Sequence, residues 1–422
     1  MTTIAAGLAA CTDDPATTKA VRVRLESLVA SKTPGLQYVL VDSARTLYEF
    51  NGGYADLAQR VPVDSTTTMM AYSMSKTLTA AAVLQLAEAG RVDLDAPVSR
   101  YVTSQPYGDA VTVRQLLAHT AGLPNPIPLK WVHLASAHAG FDEGAALASV
   151  LAEHAEPQGA PGKRYAYANI GYWLLGRVVE RVTGEAFTDY VSTHVLRRIG
   201  AAESELGFGI PDPAHHARGY LERYSFPNLL KGFLIDDEFI GEYEGRWLRI
   251  ESHYLNSPAM GGLVGTSRGF GKFLQDQLRS RSALFGEEAR RLFYEPQRTS
   301  DGKVIDMTLG WHVGVLDGVR YFYKEGGGGG FHSMMRLYPD RGVGSVLIVN
   351  ATTMNVRKAL DEVDRALFGA SIGPMCHSSI PDAARNGPVS CRRIVPARDG
   401  PPSSVFSAFM TRPARDRPTK PP

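Results

Sequence analysis

The chain has 422 residues, of which 44% are hydrophobic and 21% are charged, and its formal net charge at pH 7 is +2. This composition is typical of a soluble globular protein with one large domain or two interleaved domains. Charges of neither sign form long blocks, and no apolar run is long enough for a transmembrane helix, which argues against a nucleic-acid partner and against a membrane span.

The three cysteines, Cys11, Cys376 and Cys391, lie outside the predicted core. They therefore indicate neither a disulfide framework nor a thiol enzyme. Residues 1–16 form a separate N-terminal segment in which Leu8 to Cys11 resembles the end of a lipoprotein signal. Met1 to Gly7 contains no Lys or Arg and is short for a signal peptide. A lipid-anchored or periplasmic protein and a cytoplasmic one both stay open, so localisation is unknown.

Predicted elements follow the periodicity of apolar residues along the chain. The first half contains an amphipathic helix, two strands and four further helices, at residues 17–31, 36–42, 47–50, 73–89, 113–120, 141–153 and 170–182. A segment at 215–256 is rich in aromatic residues and has no clean period, which suggests an insertion or cap. A helix at 263–278, four strands at 309–315, 319–323, 333–338 and 342–350, and a closing helix at 355–367 complete the pattern.

Strands at both ends with helices between them predict an α+β fold. Its α/β part combines residues 17–72 and 305–370, and residues 73–304 form an inserted helical region, so that one domain spans 17–370. Residues 371–422 are rich in Pro, Arg and Ser without periodicity, which predicts a disordered tail.

A serine and a lysine three residues apart open the helix that begins at Ser73. At this spacing Ser73 and Lys76 share one face, and the field of the helix N-terminus favours an alkoxide and disfavours an ammonium. A Ser nucleophile with a Lys base needs those conditions. The pattern is expected about once by chance in a chain of this length, and Ser300 with Lys303 is such a match. The alternative is an N-cap serine followed by an exposed lysine.

Two further patterns carry candidate chemistry. Tyr167-Ala168-Asn169 lies between a Gly/Pro turn and a helix, where a phenol with its pKa lowered by a nearby lysine would exchange protons with the serine. The alternative is a buried Tyr beside a capping Asn, and Tyr254-Leu255-Asn256 repeats the pattern. Lys324-Glu325 then precedes five glycines at the end of a predicted edge strand. Such a run admits a substrate close to the backbone, where N–H groups stabilise an oxyanion, whereas a plain hairpin needs only one or two glycines.

Taken in order, Ser-x-x-Lys, Tyr-x-Asn and Lys-x-Gly resemble the serine β-lactamase and penicillin-binding superfamily. The likeness is greatest to its class C branch, which includes family VIII carboxylesterases. Supporting stretches are 116–124, 167–176, 261–266 and 342–350. The resemblance implies an α/β sandwich around an antiparallel sheet with an all-α region. It also implies these roles: Ser73 as nucleophile, Lys76 as its base partner, Tyr167 as proton carrier, Asn169, Lys324, Glu325, Gly326 and Gly327 beside the substrate, and the N–H groups of Ser73 and Gly327 as oxyanion hole.

Glu325 departs from this family pattern, which has Thr or Ser between the Lys and the Gly. A carboxylate there would repel an anionic β-lactam or peptide terminus by roughly 1–4 kcal/mol at short range. The sequence therefore predicts a cofactor-free carboxylesterase acting on a small-molecule ester. A DD-peptidase or β-lactamase is favoured instead if Glu325 points away from the cleft, and a penicillin-binding-like module without turnover is a third possibility.

A rival nucleophile is Ser267, in a formal G-x-S-x-G at residues 265–269. A nucleophile elbow requires a preceding buried strand, and residues 257–262 do not have strand character.

His215 and His216 are adjacent, and their side chains would point apart. The histidines thus predict no metal site, because no H-E-x-x-H or Cys/His cluster is present. Asn350, at the end of the last strand, either faces the cleft or forms a turn. The sequence leaves the oligomeric state open.

Overall fold

A computed structural model describes residues 15–126, 130–231 and 235–369. Cys11 and the lipoprotein-like stretch, the other two cysteines, and the predicted tail at 371–422 lie outside the described residues. The described part begins directly in a helix at Pro15.

The seven predicted helices are present in the predicted order, and the described residues contain four further short α-helices. Together they are α1 Pro15–Ser31, α2 Ser75–Glu88, α3 Val113–Leu117, α4 Glu143–Glu153, α5 Asn169–Thr183, α6 Phe187–Val191, α7 Phe226–Leu229, α8 Pro258–Gly261, α9 Ser267–Leu278, α10 Glu287–Tyr294 and α11 Val356–Gly369. Gly90 and Gly184 follow α2 and α5 with positive φ, as expected for glycines that end a helix.

The strands are β1 Gly35–Val41, β2 Thr46–Asp56, β3 Val61–Pro62, β4 Met69–Met70, β5 Val132–Leu134, β6 Leu206–Gly207, β7 Gly219–Glu222, β8 Ile240–Glu244, β9 Trp247–Ile250, β10 His253–Leu255, β11 Val264–Gly265, β12 His312–Leu316, β13 Val319–Gly327, β14 His332–Tyr338 and β15 Val343–Val349. Seven of them form an antiparallel sheet in the order β12-β13-β14-β15-β1-β2-β3. Leu36 of β1 lies opposite Val349 of β15, so the sheet joins the two ends of the domain. The α+β prediction, with a sheet built from both termini, is confirmed.

The central strands are buried on both faces, which explains their continuous apolar runs. Alternate residues of β1 enter two different cores, because successive side chains of a strand point to opposite faces. Tyr38 packs with Leu25 of α1 and Leu360 of α11, whereas Val39 packs with Phe270 of α9 and with the helical region. The sheet is therefore the middle layer of a sandwich, and the helical region covers one face only.

Three details differ from the predicted elements. Strand β2 continues past its predicted end at residue 50, through Gly52 and Gly53, to Asp56. Strand β13 lies between β12 and β14 and is not an edge strand. The inserted region is mainly helical but also contains the small sheets β10-β5 and β7-β9-β8, and its strands β6 and β11 form a third small sheet with β4 of the α/β part, in the order β4-β11-β6. The β7-β9-β8 sheet lies within the aromatic-rich segment at 215–256. Within the described ranges no helix combines the length and apolar character that crossing a membrane requires.

Candidate active site

Ser73 lies where the short strand β4 turns toward α2. Residues Tyr72–Met74 form one turn of 3₁₀-helix, and the α-helix proper begins at Ser75 rather than at Ser73. Tyr72 has a φ of +48°, a left-handed conformation that is uncommon outside glycine. The nucleophile candidate is thus on a strained turn just before a buried helix. Its side chain is half-buried, which leaves it open to a ligand.

Lys76 is completely buried and its Nζ has three neighbours. Ser73 Oγ lies 3.0 Å away, Asn169 Oδ1 2.8 Å away and the carbonyl oxygen of Met260 2.5 Å away. Burial, followed by the positive charge of Lys324, holds the pKa of Lys76 well below its usual value. A neutral amine donates its two N–H groups to the Asn169 and Met260 oxygens, and its lone pair then faces the Ser73 hydroxyl. This is the arrangement of a general base.

Tyr167 approaches Ser73 from the other side, and its hydroxyl donates to Ser73 Oγ across 2.8 Å. Burial raises the pKa of this phenol well above its usual value, and the hydrogen bond to Ser73 offsets that only in part. The expectation that a nearby lysine lowers the pKa of this phenol is therefore wrong for the free protein, because loss of solvation outweighs the hydrogen bond to Ser73. Tyr167 is placed as a hydrogen-bond donor to Ser73, and the catalytic roles of Tyr167 and Lys76 stay predictions.

Asn169 begins α5 and connects Lys76 to a residue that the sequence analysis missed. Its Oδ1 accepts from Lys76, and its Nδ2 donates to Asn125 Oδ1 across 3.1 Å. The backbone N–H of Asn169 donates to the same Asn125 oxygen. Asn125 directly follows the stretch 116–124 on which the family resemblance rests, but a lone Asn in a loop carries no signal of this contact. A substrate contact of Asn169 stays a prediction.

The glycine run lies against the turn that carries Ser73. A Cβ at Gly326 would lie 2.1 Å from the Ala71 carbonyl oxygen and 2.9 Å from the Ser73 nitrogen. The Ser333 hydroxyl donates to the same Ala71 oxygen from the neighbouring strand β14. Only glycine permits this approach, which brings the end of β13, and hence Gly327, beside the nucleophile. An oxyanion hole made by the N–H groups of Ser73 and Gly327 stays a prediction.

Lys324 is fully buried on the same face of β13 as Gly326. Its Nζ lies 5.4 Å from the ring centre of Tyr167 and 5.7 Å from that of Tyr172, and it has no hydrogen-bond partner within the described ranges. Burial lowers the pKa of Lys324 to about 7. A buried cation without a partner is costly to keep, and such residues cluster at functional sites.

Glu325 points to the opposite face of the sheet, toward α11. Its Oε1 lies 2.9 Å from His332 Nε2, and its Oε2 accepts from Arg357 Nη2 across 3.0 Å. Burial alone would raise the pKa of this carboxyl, but the hydrogen bond from His332 and the charges of His332 and Arg357 hold it well below its usual range. The expectation of an uncompensated carboxylate beside the substrate is wrong, because strand alternation turns Glu325 away from Ser73.

The rival candidates are structural. Ser267 is 1% exposed at the first residue of α9, where Thr266 caps the helix. The Tyr254 hydroxyl oxygen accepts a hydrogen bond from the Ile210 N–H across 2.8 Å. Asn350 accepts from the Gly35 N–H and donates to the Tyr54 carbonyl, and so connects β15 to β1 and β2.

His215 is exposed, and His216 is buried against Thr68. In the part of the chain that the structure describes, no group of three or more His, Cys, Asp or Glu residues is suited to a metal ion.

A half-buried serine bonded to a buried lysine and a half-buried tyrosine, with a glycine strand alongside, defines a serine acyl-transfer site. The Beta-lactamase family model matches residues 19–370, so the chain belongs to this family of serine hydrolases.

The chain is similar to penicillin-binding protein 4* of Bacillus subtilis (strain 168), with 24% identity over 334 residues, which are 76% of this chain and 70% of that protein. Among solved structures it is similar to a D-amino acid amidase from Ochrobactrum anthropi SV3, with a TM-score of 0.71 at 20% identity, covering 84% and 99% of the two chains. A class C β-lactamase from Rhodobacter sphaeroides gives a TM-score of 0.62 at 18% identity, with coverage of 84% and 100%.

Proposed function

We propose that this protein hydrolyses uncharged carboxylic esters through a covalent acyl-enzyme on Ser73. The observation that carries the proposal is the hydrogen-bonded group of Ser73, Lys76 and Tyr167, in which burial lowers the pKa of Lys76. Lys76 accepts the Ser73 proton as Oγ attacks the ester carbonyl. That proton then passes to the departing alkoxide, which the Tyr167 hydroxyl stabilises, and water afterwards cleaves the acyl-enzyme to release the acid and free Ser73.

The preference for an ester over an amide rests on the side chain at position 325 and on its contacts. The family pattern has a hydroxyl there to hold a substrate carboxylate, and this chain offers none, since Glu325 is turned toward His332 and Arg357. A neutral ester does not need that hydroxyl, and its alkoxide leaves more readily than an amine. Charge repulsion by Glu325 no longer contributes to the preference, because the carboxylate is paired.

A second candidate is the hydrolysis of amides, including β-lactams and small peptides. Two observations favour it. Glu325 points away from Ser73 and is paired with His332 and Arg357, which is the condition under which the sequence favours a DD-peptidase or β-lactamase. The buried Lys324 Nζ also has no hydrogen-bond partner among the residues that are described. The similarity to a penicillin-binding protein, an amidase and a β-lactamase agrees with this candidate as well as with the first.

A substrate panel separates these candidates. We expect kcat/KM for p-nitrophenyl butyrate to exceed that for nitrocefin and for D-phenylalanine amide, and we expect mass spectrometry to find the butyryl group on Ser73. A clear advantage for nitrocefin or for the amide would establish the second candidate instead.

Ser73→Ala should abolish turnover, and the matched variant Ser267→Ala should retain it. Absence of both turnover and acylation with every substrate of the panel would indicate a binding module without catalysis.

A further inference from the structure

His119 lies directly against the tyrosine of the active site. It follows α3, is 2% exposed, and places its ring centre 4.3 Å from that of Tyr167 and 5.0 Å from that of Tyr172. The mechanism above does not use this residue. Because His119 is buried beside a side chain of the proposed mechanism, we ask what it contributes to the position of that side chain.

The contacts of His119 bracket Tyr167 on both sides. The Ala166 N–H donates to the His119 carbonyl oxygen across 2.7 Å, and the Ala168 N–H donates to His119 Nδ1 across 3.3 Å. One residue thus holds the amide groups before and after the tyrosine, while its ring packs on the tyrosine ring. Because Nδ1 accepts, the neutral ring carries its proton on Nε2, which has no partner within the described ranges.

His119 adopts this geometry in a conformation that few side chains accept. Its φ is +54°, in the left-handed region, where Asn and Gly are tolerated best. Burial, followed by the positive charge of Lys324, holds the pKa of His119 well below its usual value. The ring therefore stays neutral, and Nδ1 stays an acceptor, at the pH of an ordinary assay. An uncommon backbone conformation that persists beside an active site suggests a functional reason.

We propose that His119 is a positioning residue that holds the Tyr167 hydroxyl on Ser73 Oγ. It acts through the backbone on both sides of Tyr167 and through ring packing, and it does not touch the reacting atoms. The proposal rests on the proposed function, because ester turnover is its readout. Displacing a proton-donating group by about 1 Å costs roughly 100-fold in rate.

Two variants that both tolerate a positive φ test this role. His119→Gly removes the ring acceptor, whereas His119→Asn keeps an oxygen at the same number of bonds from Cα as Nδ1. We expect His119→Gly to lower kcat for p-nitrophenyl butyrate by roughly 100-fold with KM changed less than about 3-fold. His119→Asn should restore kcat to within about 5-fold of wild type. Both rates are normalised to the folded fraction measured by circular dichroism.

A double-mutant cycle separates positioning from general support of the fold. In a Tyr167→Phe background the hydroxyl is absent, so His119→Gly should cause little further loss of kcat. The proposal is overturned if His119→Gly keeps wild-type kcat or if His119→Asn is as slow as His119→Gly. It is also overturned if the fold-loss of kcat in the double variant equals the product of the losses in His119→Gly and Tyr167→Phe. If His119→Gly does not fold, the test rests on His119→Asn. A loss of kcat in His119→Asn as large as that in Tyr167→Phe would then contradict the positioning role.

The failure of this inference is distinguishable from the failure of the proposed function. Full turnover by Ser73→Ala would contradict the function, whatever the His119 variants do. Acylation of Ser73 together with unaffected His119 variants would contradict the inference alone.

Discussion

Lys76 has two N–H donors and one lone pair in its neutral form, and its three neighbours match that count. The Asn169 and Met260 oxygens take the donors, and the Ser73 hydroxyl faces the lone pair. Tyr167 adds a donor to Ser73 Oγ. Every polar group of this set is thus satisfied when the lysine is uncharged, which is the protonation state that the proposed proton transfer from serine to lysine requires.

Lys324, the second buried lysine of the site, is expected to lower the stability of the folded state at pH 7. The pKa of Lys324 falls from 10.5 to about 7 on burial, and at about 1.4 kcal/mol per pKa unit its presence costs about 4 kcal/mol at pH 7. The folded state binds fewer protons than the unfolded state between pH 7 and pH 10.5, so this residue makes the free energy of unfolding rise with pH across that window. We expect Lys324→Met to remove this rise and to raise the melting temperature at pH 7.

The same variant has a kinetic consequence. Lys324 contributes to the lowered pKa of Lys76, so its removal should raise the pKa of Lys76 and shift the acid limb of kcat/KM to higher pH. Lys303→Met removes one charge from an exposed turn and is the control for net charge. Equal melting temperatures and equal pH profiles for the two variants would contradict the prediction.

At the scale of elements, the motifs could be predicted from sequence because each is local and lies at a helix or strand end. The Ser73–Lys76 spacing, the turn before α5 and the glycine run are of this kind. The direction of Glu325 could not be predicted, since it depends on how β13 alternates between its neighbours. The raised pKa of Tyr167 depends on burial by distant segments, and the contacts of Asn125 and His119 depend on loop backbone that no periodicity describes.

Gly326 and Gly329, at the end of β13 and in the loop that follows, should differ in how well they tolerate a side chain. At Gly326 a Cβ would collide with the Ala71 carbonyl at 2.1 Å, and backbone cannot move aside there without displacing Ser73. At Gly329 the nearest atom to a Cβ is His253 Cε1 at 3.3 Å, in a side chain that is able to shift. We expect Gly326→Ala to lower kcat/KM for p-nitrophenyl butyrate by at least about 100-fold, and Gly329→Ala to change it by less than about 10-fold.

Near-UV circular dichroism and a thermal melt of both glycine variants show whether the fold is retained. Similar activities for Gly326→Ala and Gly329→Ala would mean that the approach of β13 to the nucleophile turn is not required.

At the scale of the molecule, the sheet depends on segments from both ends of the domain. Strand β1 pairs with β15 and β2, and Asn350 bonds Gly35 and Tyr54 across them. Helices α1 and α11 cover the face opposite the active site and share one core. The site itself lies between the other face and the inserted region. Its geometry therefore requires a folded sheet, although α11 contributes no atom to the group around Ser73.

A buried ion pair fixes α11 on the sheet and gives the last prediction. Arg336 of β14 is 0% exposed, and its Nη1 donates to Asp364 of α11 across 2.8 Å. Arg336 also bonds Asp361 Oδ1 through Nη2 across 2.6 Å, so Asp364→Asn leaves its charge partly compensated. We therefore expect a loss smaller than the roughly 3–5 kcal/mol of a buried pair that loses its sole partner, with a lowered melting temperature. The adjacent Arg365 pairs with Asp317 at the surface, where a pair contributes at most about 1 kcal/mol. Asp317→Asn is thus the matched control. Because Asp364 lies on the face away from Ser73, kcat per folded molecule should stay unchanged in both variants, and equal melting temperatures would contradict the assigned role of the buried pair.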